Sequence, residues 1–299
     1  MIRWMPVIGT AEIEGDKIIY TPTEIPLADG TKTREITTMA SSKIFETGEI
    51  CFKVQSKHKN FRCQVILSEN NPFYIGFSSM ESNTGLLVAA EYDIQANKWN
   101  FLDFKGDNRS FKLDTEYELR LSVKGSKIHL FVDDVLVMSL FKTITKAPVK
   151  LLIGGEGKIT VSNIQIKTES PIAFVVMQFS EEYNQLFDEV IEPTCKEKGF
   201  ECIRANDKYT TSPIIQDIIE SIHESSVIIA NITPDNPNVF YEVGFAHAIR
   251  KPTILLCDRK REGLPFDLSG FRTLFYENTI AGKSNIEKDL KKYLDNLSG

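Results

Sequence analysis

The hydrophobic period of this chain changes once, near Thr168-Glu169-Ser170-Pro171, and that change limits what the chain can fold into. Before it, apolar and polar residues alternate in short runs, as in Glu49-Ile50-Cys51-Phe52-Lys53-Val54 and Tyr117-Glu118-Leu119-Arg120-Leu121-Ser122-Val123. Period two over so few residues marks strands with one face buried. Turn signals separate the runs at hairpin spacing, at Lys124-Gly125-Ser126-Lys127, Val132-Asp133-Asp134-Val135 and Gly154-Gly155-Glu156-Gly157. No long helical periodicity interrupts them. Residues 1–168 therefore read as an all-β antiparallel sandwich.

After the change, Ile172 to Met177 form a continuous apolar run, as expected of a parallel strand covered on both faces. Tyr183, Leu186, Phe187, Val190 and Ile191 recur at helical spacing and predict a helix over Glu181 to Lys198, ended by Gly199. A second strand follows at Phe200 to Arg204, Ser212-Pro213 open a second helix reaching Glu224, and Val227 to Ile232 make a third strand. Asn236 is placed to cap a third helix, with Pro237 at its first position and Ile249 near its end. Thr253 to Cys257 and Thr273 to Tyr276 predict two more strands, and Ser284 to Leu297 a closing helix. Strand and helix alternate throughout residues 169–299, which implies a flavodoxin-like parallel sheet covered on both faces.

The 299 residues suffice for two domains, and 42% hydrophobic with 25% charged residues is ordinary globular composition. A net charge of −6 argues against a surface that holds nucleic acid through its phosphates. Neither a leader-like apolar core at the start nor a run of membrane-spanning length is present, so a cytoplasmic protein with no membrane partner is expected. Cys51, Cys63, Cys195, Cys202 and Cys257 form no C-x-x-C pair and are expected as free, packed thiols; Cys51 and Cys63 facing each other across a hairpin is the alternative. The four histidines are scattered, so no metal site or cofactor is expected.

In an open parallel sheet the ligand crevice lies outside the carboxyl ends of the strands, where strand order reverses. A 2-1-3-4-5 order brings Gln178-Phe179-Ser180 beside the loop from Asn231 to Asn238, with Asn206-Asp207-Lys208 nearby. Glu242 stands in the third helix among Asn238, Phe245, Ala246 and Ile249, while Val239, Val243, Ala246 and Ile249 supply the apolar face. From position alone two readings stand: a partly desolvated, poised carboxylate, or a solvated residue on the outer edge of the helix.

In the first half, Trp99 with Glu91 and Asp103 could line a saccharide groove and make the sandwich a sugar enzyme or reader. The favoured reading instead packs Trp99 and Phe101 in the core. The run YELRLSVKGSKIHLFVDDVLV, then VKLLIGGEGKITVSNIQIK, resembles the last strands of concanavalin-like and laminin-G-like jelly rolls over about residues 40–168. Recognition of a glycan or protein, or assembly of like chains, is the role this implies.

Ala230-Asn231-Ile232-Thr233, the segment from Asn236-Pro237-Asn238 through Glu242-Val243-Gly244 to His247-Ala248, and Lys251-Pro252 are similar to the nucleoside 2-deoxyribosyltransferase superfamily and its TIR-like relatives. Phe174 to Ser180 resembles the first strand and loop of the same group, so the likeness spans about residues 171–278. It implies that Glu242 is catalytic. Cleavage of an N-glycosidic bond builds positive charge on ribose, which a carboxylate can stabilise or trap. Phe179, Ser180, Asp207, Asn231, Asp235 and Asn238 are the expected substrate contacts, with core packing for Phe179 and capping for the polar residues as alternatives. Asp207 or Asp235 is the candidate general acid, or a turn residue.

Two departures from the family pattern, Gln178 where relatives carry proline and Asn-Pro-Asn-Val in place of Asp-x-Gly-Thr, favour hydrolysis of a nucleotide over deoxyribosyl transfer. NAD is the first candidate, as substrate rather than cofactor, and the TIR-like likeness implies a bacterial defence or stress role. The alternative is a non-catalytic nucleotide sensor or assembly module.

Overall fold

The computed structural model describes residues 2–26, 31–79, 86–107, 109–204 and 214–298. The chain divides into two compact units, Met1–Val123 with Lys127–Glu169, and Lys124–Ser126 with Ser170–Gly299.

In chain order the first unit contains β1 (Trp4–Ile8), β2 (Glu12–Glu14), β3 (Lys17–Tyr20), β4 (Glu24–Pro26), β5 (Lys32–Arg34), β6 (Thr37–Phe45), β7 (Gly48–Ser56) and β8 (Phe61–Leu67). It continues with β9 (Phe73–Ser78), β10 (Leu87–Asp93), β11 (Lys98–Lys105), β12 (Glu116–Lys124), β13 (Lys127–Val132), β14 (Val135–Phe141), β15 (Ala147–Gly155) and β16 (Ile159–Thr168). Two seven-stranded sheets form, in the orders β1-β6-β15-β8-β9-β10-β11 and β14-β13-β12-β7-β16-β3-β2. All their pairings are antiparallel among the described residues.

The alternation read in the sequence explains why they pack. Ile50, Phe52 and Val54 of β7 and Leu119, Leu121 and Val123 of β12 turn inward from one sheet, and they meet Cys63, Val65, Val149, Leu151 and Ile153 from the other in a single core. The chain passes back and forth between the sheets, as a jelly roll does. At the Asp133-Asp134 turn both residues have positive φ, 47° and 62°, the geometry that joins two twisted strands in two residues. Asp133 Oδ1 accepts the Glu118 N–H at 2.9 Å and ties the turn to β12.

Trp99 and Phe101 are not core residues. They are 42% and 48% exposed on β11, the last strand of its sheet. The pattern in β11 assigned them a common face correctly but not a covering layer, and the register slips between Ala89 and Ala90 of the neighbouring β10. Cys51 and Cys63 lie on β7 and β8 of different sheets, and all five cysteines are free thiols.

The second unit contains β17 (Ile172–Val176), β18 (Glu201–Arg204), α3 (Ile214–Glu224), β19 (Val227–Asn231), α4 (Pro237–Ala248), β20 (Thr253–Asp258), β21 (Thr273–Tyr276) and α5 (Ile280–Ser298). Between β17 and β18 one helical stretch runs as α1 (Glu181–Leu186), a π-turn (Phe187–Ile191) and α2 (Glu192–Glu197). The π-turn departs from the uninterrupted helix expected there. Pro193 lacks an N–H and its ring would crowd the Glu189 carbonyl, and the wider turn just before it gives that ring room. Gly199, at φ 79°, closes the stretch in the left-handed conformation.

The sheet is parallel with the order β18-β17-β19-β20-β21, which is the 2-1-3-4-5 arrangement expected. Its strands read as continuous apolar runs because both faces are covered. Ala173, Val175 and Met177 pack on one side with Phe187, Ile191 and Leu290, while Phe174 and Val176 pack on the other with Ile222, Val239, Val243 and Ala246. Helix α5 begins four residues earlier than expected, because Thr279 Oγ1 accepts the Gly282 N–H at 3.0 Å and caps it. Among the described residues no helix is long and apolar enough to cross a membrane.

Candidate functional site at the carboxyl edge of the parallel sheet

Helix α4 is fixed at its front by Asn236, whose backbone is extended (φ −138°) and whose Oδ1 accepts from the N–H groups of Asn238 at 2.9 Å and Val239 at 3.5 Å. Pro237 fills the first helical position, where a missing N–H costs nothing. From this start Val239, Glu242, Val243 and Ala246 fall on one buried stripe. Glu242 is thus on the inner side of the helix, 8% exposed, and not a solvated outer-edge residue. Burial alone, among the described residues, pushes its carboxyl up from the usual carboxylate range to about 7. No described hydrogen bond or ion pair engages it. A carboxylate held this way, without a partner among the described residues, is poised to ionise near neutrality.

The loop after β17 lies against this helix start. Asn236 Nδ2 donates to Gln178 Oε1 at 3.3 Å, so the loops leaving the first and third strands of the unit are joined directly. Phe179 is 41% exposed, with the Arg204 guanidinium 5.8 Å from its ring centroid. Ser180 stands at the N-cap of α1 without a side-chain capping bond; its carbonyl accepts the Asn184 N–H at 2.8 Å. Asp207 lies outside the described residues.

The loop after β19 is held from within. Asn231, 1% exposed, donates from Nδ2 to the Thr233 carbonyl at 3.0 Å, and its Oδ1 accepts from the Tyr276 hydroxyl at 3.2 Å. Asp235 accepts from Arg261 Nη2, and the same guanidinium donates to the carbonyls of Ile232 and Gly263, each at 2.6 Å. Asn238 is exposed on the first turn of α4. Asp235 also borders a cleft of about 300 Å³ with Tyr183, Thr233, Asp258, Lys260 and Arg261. Asp258 is only 4% exposed there, with Oδ1 accepting the Lys260 N–H at 2.8 Å. Glu242 is not among the residues bordering this cleft.

The structure therefore places Asn231, Asp235, Asn238 and Glu242 along one loop and helix, and joins that loop to Gln178 beside Phe179. Gln178, Arg204, Asp258, Lys260 and Arg261 were not singled out as site residues in the sequence. A run of charged residues directly after an apolar strand, Asp258-Arg259-Lys260-Arg261, was the available signal for the last three. No cluster of three or more metal-ligating side chains occurs among the described residues.

On β11 of the sandwich, the exposed Trp99 ring contacts Tyr74 edge-on (4.8 Å between centroids) and Tyr92 (5.1 Å). The two carboxylates considered beside it are both engaged, Glu91 by Lys142 and Asp103 by Lys105, the latter at 2.8 Å.

Fold and site together define a jelly-roll sandwich joined to a parallel α/β unit with a desolvated glutamate on the inner side of the helix that follows its third strand. No protein-family model matches the chain, and no curated protein matches it. Among solved structures it is similar to carbohydrate binding module CBM66 from Bacillus subtilis, at 12% identity and a TM-score of 0.41 over 54% of this chain and 92% of that chain. A prokaryotic beta-1,3-1,4-glucanase (lichenase) derived from a mouse hindgut metagenome is 12% identical, with a TM-score of 0.38 over 53% of this chain and 89% of that one. Bacillus licheniformis beta-glucanase is 11% identical, with a TM-score of 0.36 over 54% and 89% respectively. Likeness at this level carries no ligand or chemistry across.

Proposed function

We propose that the α/β unit is an N-glycosidase that hydrolyses NAD or a related nucleotide, with Glu242 as its catalytic carboxylate. The observation that carries this reading is the state of that side chain: 8% exposed, unengaged by the described residues, and with burial moving its carboxyl to about 7. In the reaction the bond from ribose C1′ to the base nitrogen breaks, and its electron pair leaves with the base. Positive charge develops on the ribose, where ionised Glu242 stabilises it or closes on C1′. Water then adds to C1′ and loses a proton to solvent. Nicotinamide leaves a pyridinium as a neutral molecule without needing a proton, which suits a site with one such carboxylate.

The motifs in residues 171–278 that resemble deoxyribosyltransferase-like and TIR-like sequences point the same way, and the Asn-Pro-Asn turn before the helix favours water over a second base as acceptor. Incubating the protein with a panel of nucleosides and nucleotides, with products separated by chromatography, tests it. Release of free base from at least one nucleotide is expected; an unchanged panel would sink the reading.

In this account the sandwich recognises a ligand. The Trp99 ring, exposed between Tyr74 and Tyr92, favours a glycan, since flat aromatic faces meet the apolar faces of sugar rings. Loss of glycan-array binding in Trp99→Ala is the corresponding test.

A further inference from the structure

The cap at Asn236 fixes the polarity of the contact between the two loops. Asn236 Oδ1 is taken by backbone N–H groups at the start of α4, at 2.9 and 3.5 Å. An amide whose oxygen is occupied in this way has its nitrogen left to offer. The 3.3 Å contact with Gln178 therefore runs one way, with Asn236 Nδ2 donating and Gln178 Oε1 accepting. That in turn sets the Gln178 amide: its Nε2, carrying two hydrogens, faces away from Asn236. Among the described residues Nε2 makes no hydrogen bond, and Gln178 is half-buried just past the carboxyl end of β17.

We propose that Gln178 is a substrate-binding residue whose Nε2 donates to a carbonyl oxygen on the leaving base, which in NAD is the carboxamide oxygen of nicotinamide. This rests on the N-glycosidase reading above. A fixed amide donor at the switch point, next in the chain to a 41% exposed phenylalanine ring, suits a planar, weakly polar base with one strong acceptor. Phosphates are served better by charged partners. The backbone of α4 orients Asn236, and Asn236 orients Gln178. The residue that reads the base is thus held by the same helix that carries Glu242.

The test compares wild type, Gln178→Glu, Gln178→Met and Glu242→Gln on NAD and on its thioamide analogue, whose sulfur is a poor acceptor. Gln178→Glu keeps an oxygen for Asn236 and loses the donor; Gln178→Met controls for the added charge. The expected result is a fall of about tenfold in kcat/KM on NAD for both Gln178 variants. Neither should lose further on the thioamide, and the melting temperature of Gln178→Glu should stay at the wild-type value. Wild-type rates on NAD in both Gln178 variants, or an equal loss on both substrates, overturn the assignment while leaving the N-glycosidase reading in place if Glu242→Gln is inactive. Full activity in Glu242→Gln, or no base release by the wild type, overturns that reading and this assignment with it.

Discussion

The Tyr276 hydroxyl, at the end of β21, donates to Asn231 Oδ1 at the end of β19, 3.2 Å away across the intervening strand β20. With Nδ2 already donating to the Thr233 carbonyl at 3.0 Å, the Asn231 carboxamide is fixed in orientation and holds the loop that leads into α4. Tyr276→Phe leaves Oδ1 only the Thr233 N–H, at 3.4 Å. A loss of about 1–2 kcal/mol in stability of the α/β unit is expected in urea denaturation. Unchanged stability would show that the bond contributes nothing net.

Removing the Glu242 charge should stabilise the protein at alkaline pH. The folded-state pKa is raised from 4.5 to about 7, so the neutral carboxyl is tolerated below pH 4.5 and stability is lost as the pH rises through 7. Glu242→Gln escapes this loss, by up to about 3 kcal/mol at pH 8 and by little at pH 4.5. Chemical denaturation at the two pH values measures the difference; equal gains at both would contradict it.

The same value predicts the acid limb of the activity. Glu242 acts ionised, so kcat/KM should rise with pH and level off above about 7, the value burial gives it in the free protein. A profile flat from pH 5 to 8 would remove the carboxylate from the chemistry.

Trp99→Ala should cost the sandwich less than about 2 kcal/mol, against the roughly 3–5 kcal/mol of a buried aromatic truncation. The ring is 42% exposed and packs against Tyr74 and Tyr92. Thermal melting of the variant separates the two.

Asn236→Ala removes both the cap of α4 and the donor to Gln178. A stability loss of about 1 kcal/mol is expected from the cap. Asn236→Ser restores a capping oxygen but not the link to Gln178, so it should recover melting temperature and leave kcat/KM lowered. Recovery of both would make the cap the whole effect.

Much of the second unit was legible because its signals are local. Asn236-Pro237 marks the start of α4, Gly199 the end of the stretch that closes with α2, and the apolar run of β21 falls on Thr273–Tyr276 as read. What escaped was set by distant partners. The burial of Glu242 follows from its sharing a stripe with Val239, Val243 and Ala246, but helical spacing left both the inner and the outer placement open. Asn231 and Asp235 meet partners 45 and 26 residues away, Tyr276 and Arg261, for which no local pattern exists. In the sandwich, alternation identified the shared face of Trp99 and Phe101; whether a layer covers that face depends on β11 being an edge strand. At α5 the helix starts from the Thr279 cap, a local signal that lies ahead of the expected start at Ser284.

The most direct measurement of the central claim is nicotinamide release from NAD by wild type and by Glu242→Gln under the same conditions at pH 8, with folding of both verified by circular dichroism. Steady release by the wild type and a loss of about a hundredfold or more in the variant are expected. Equal release by the two proteins, or none by the wild type, would contradict it.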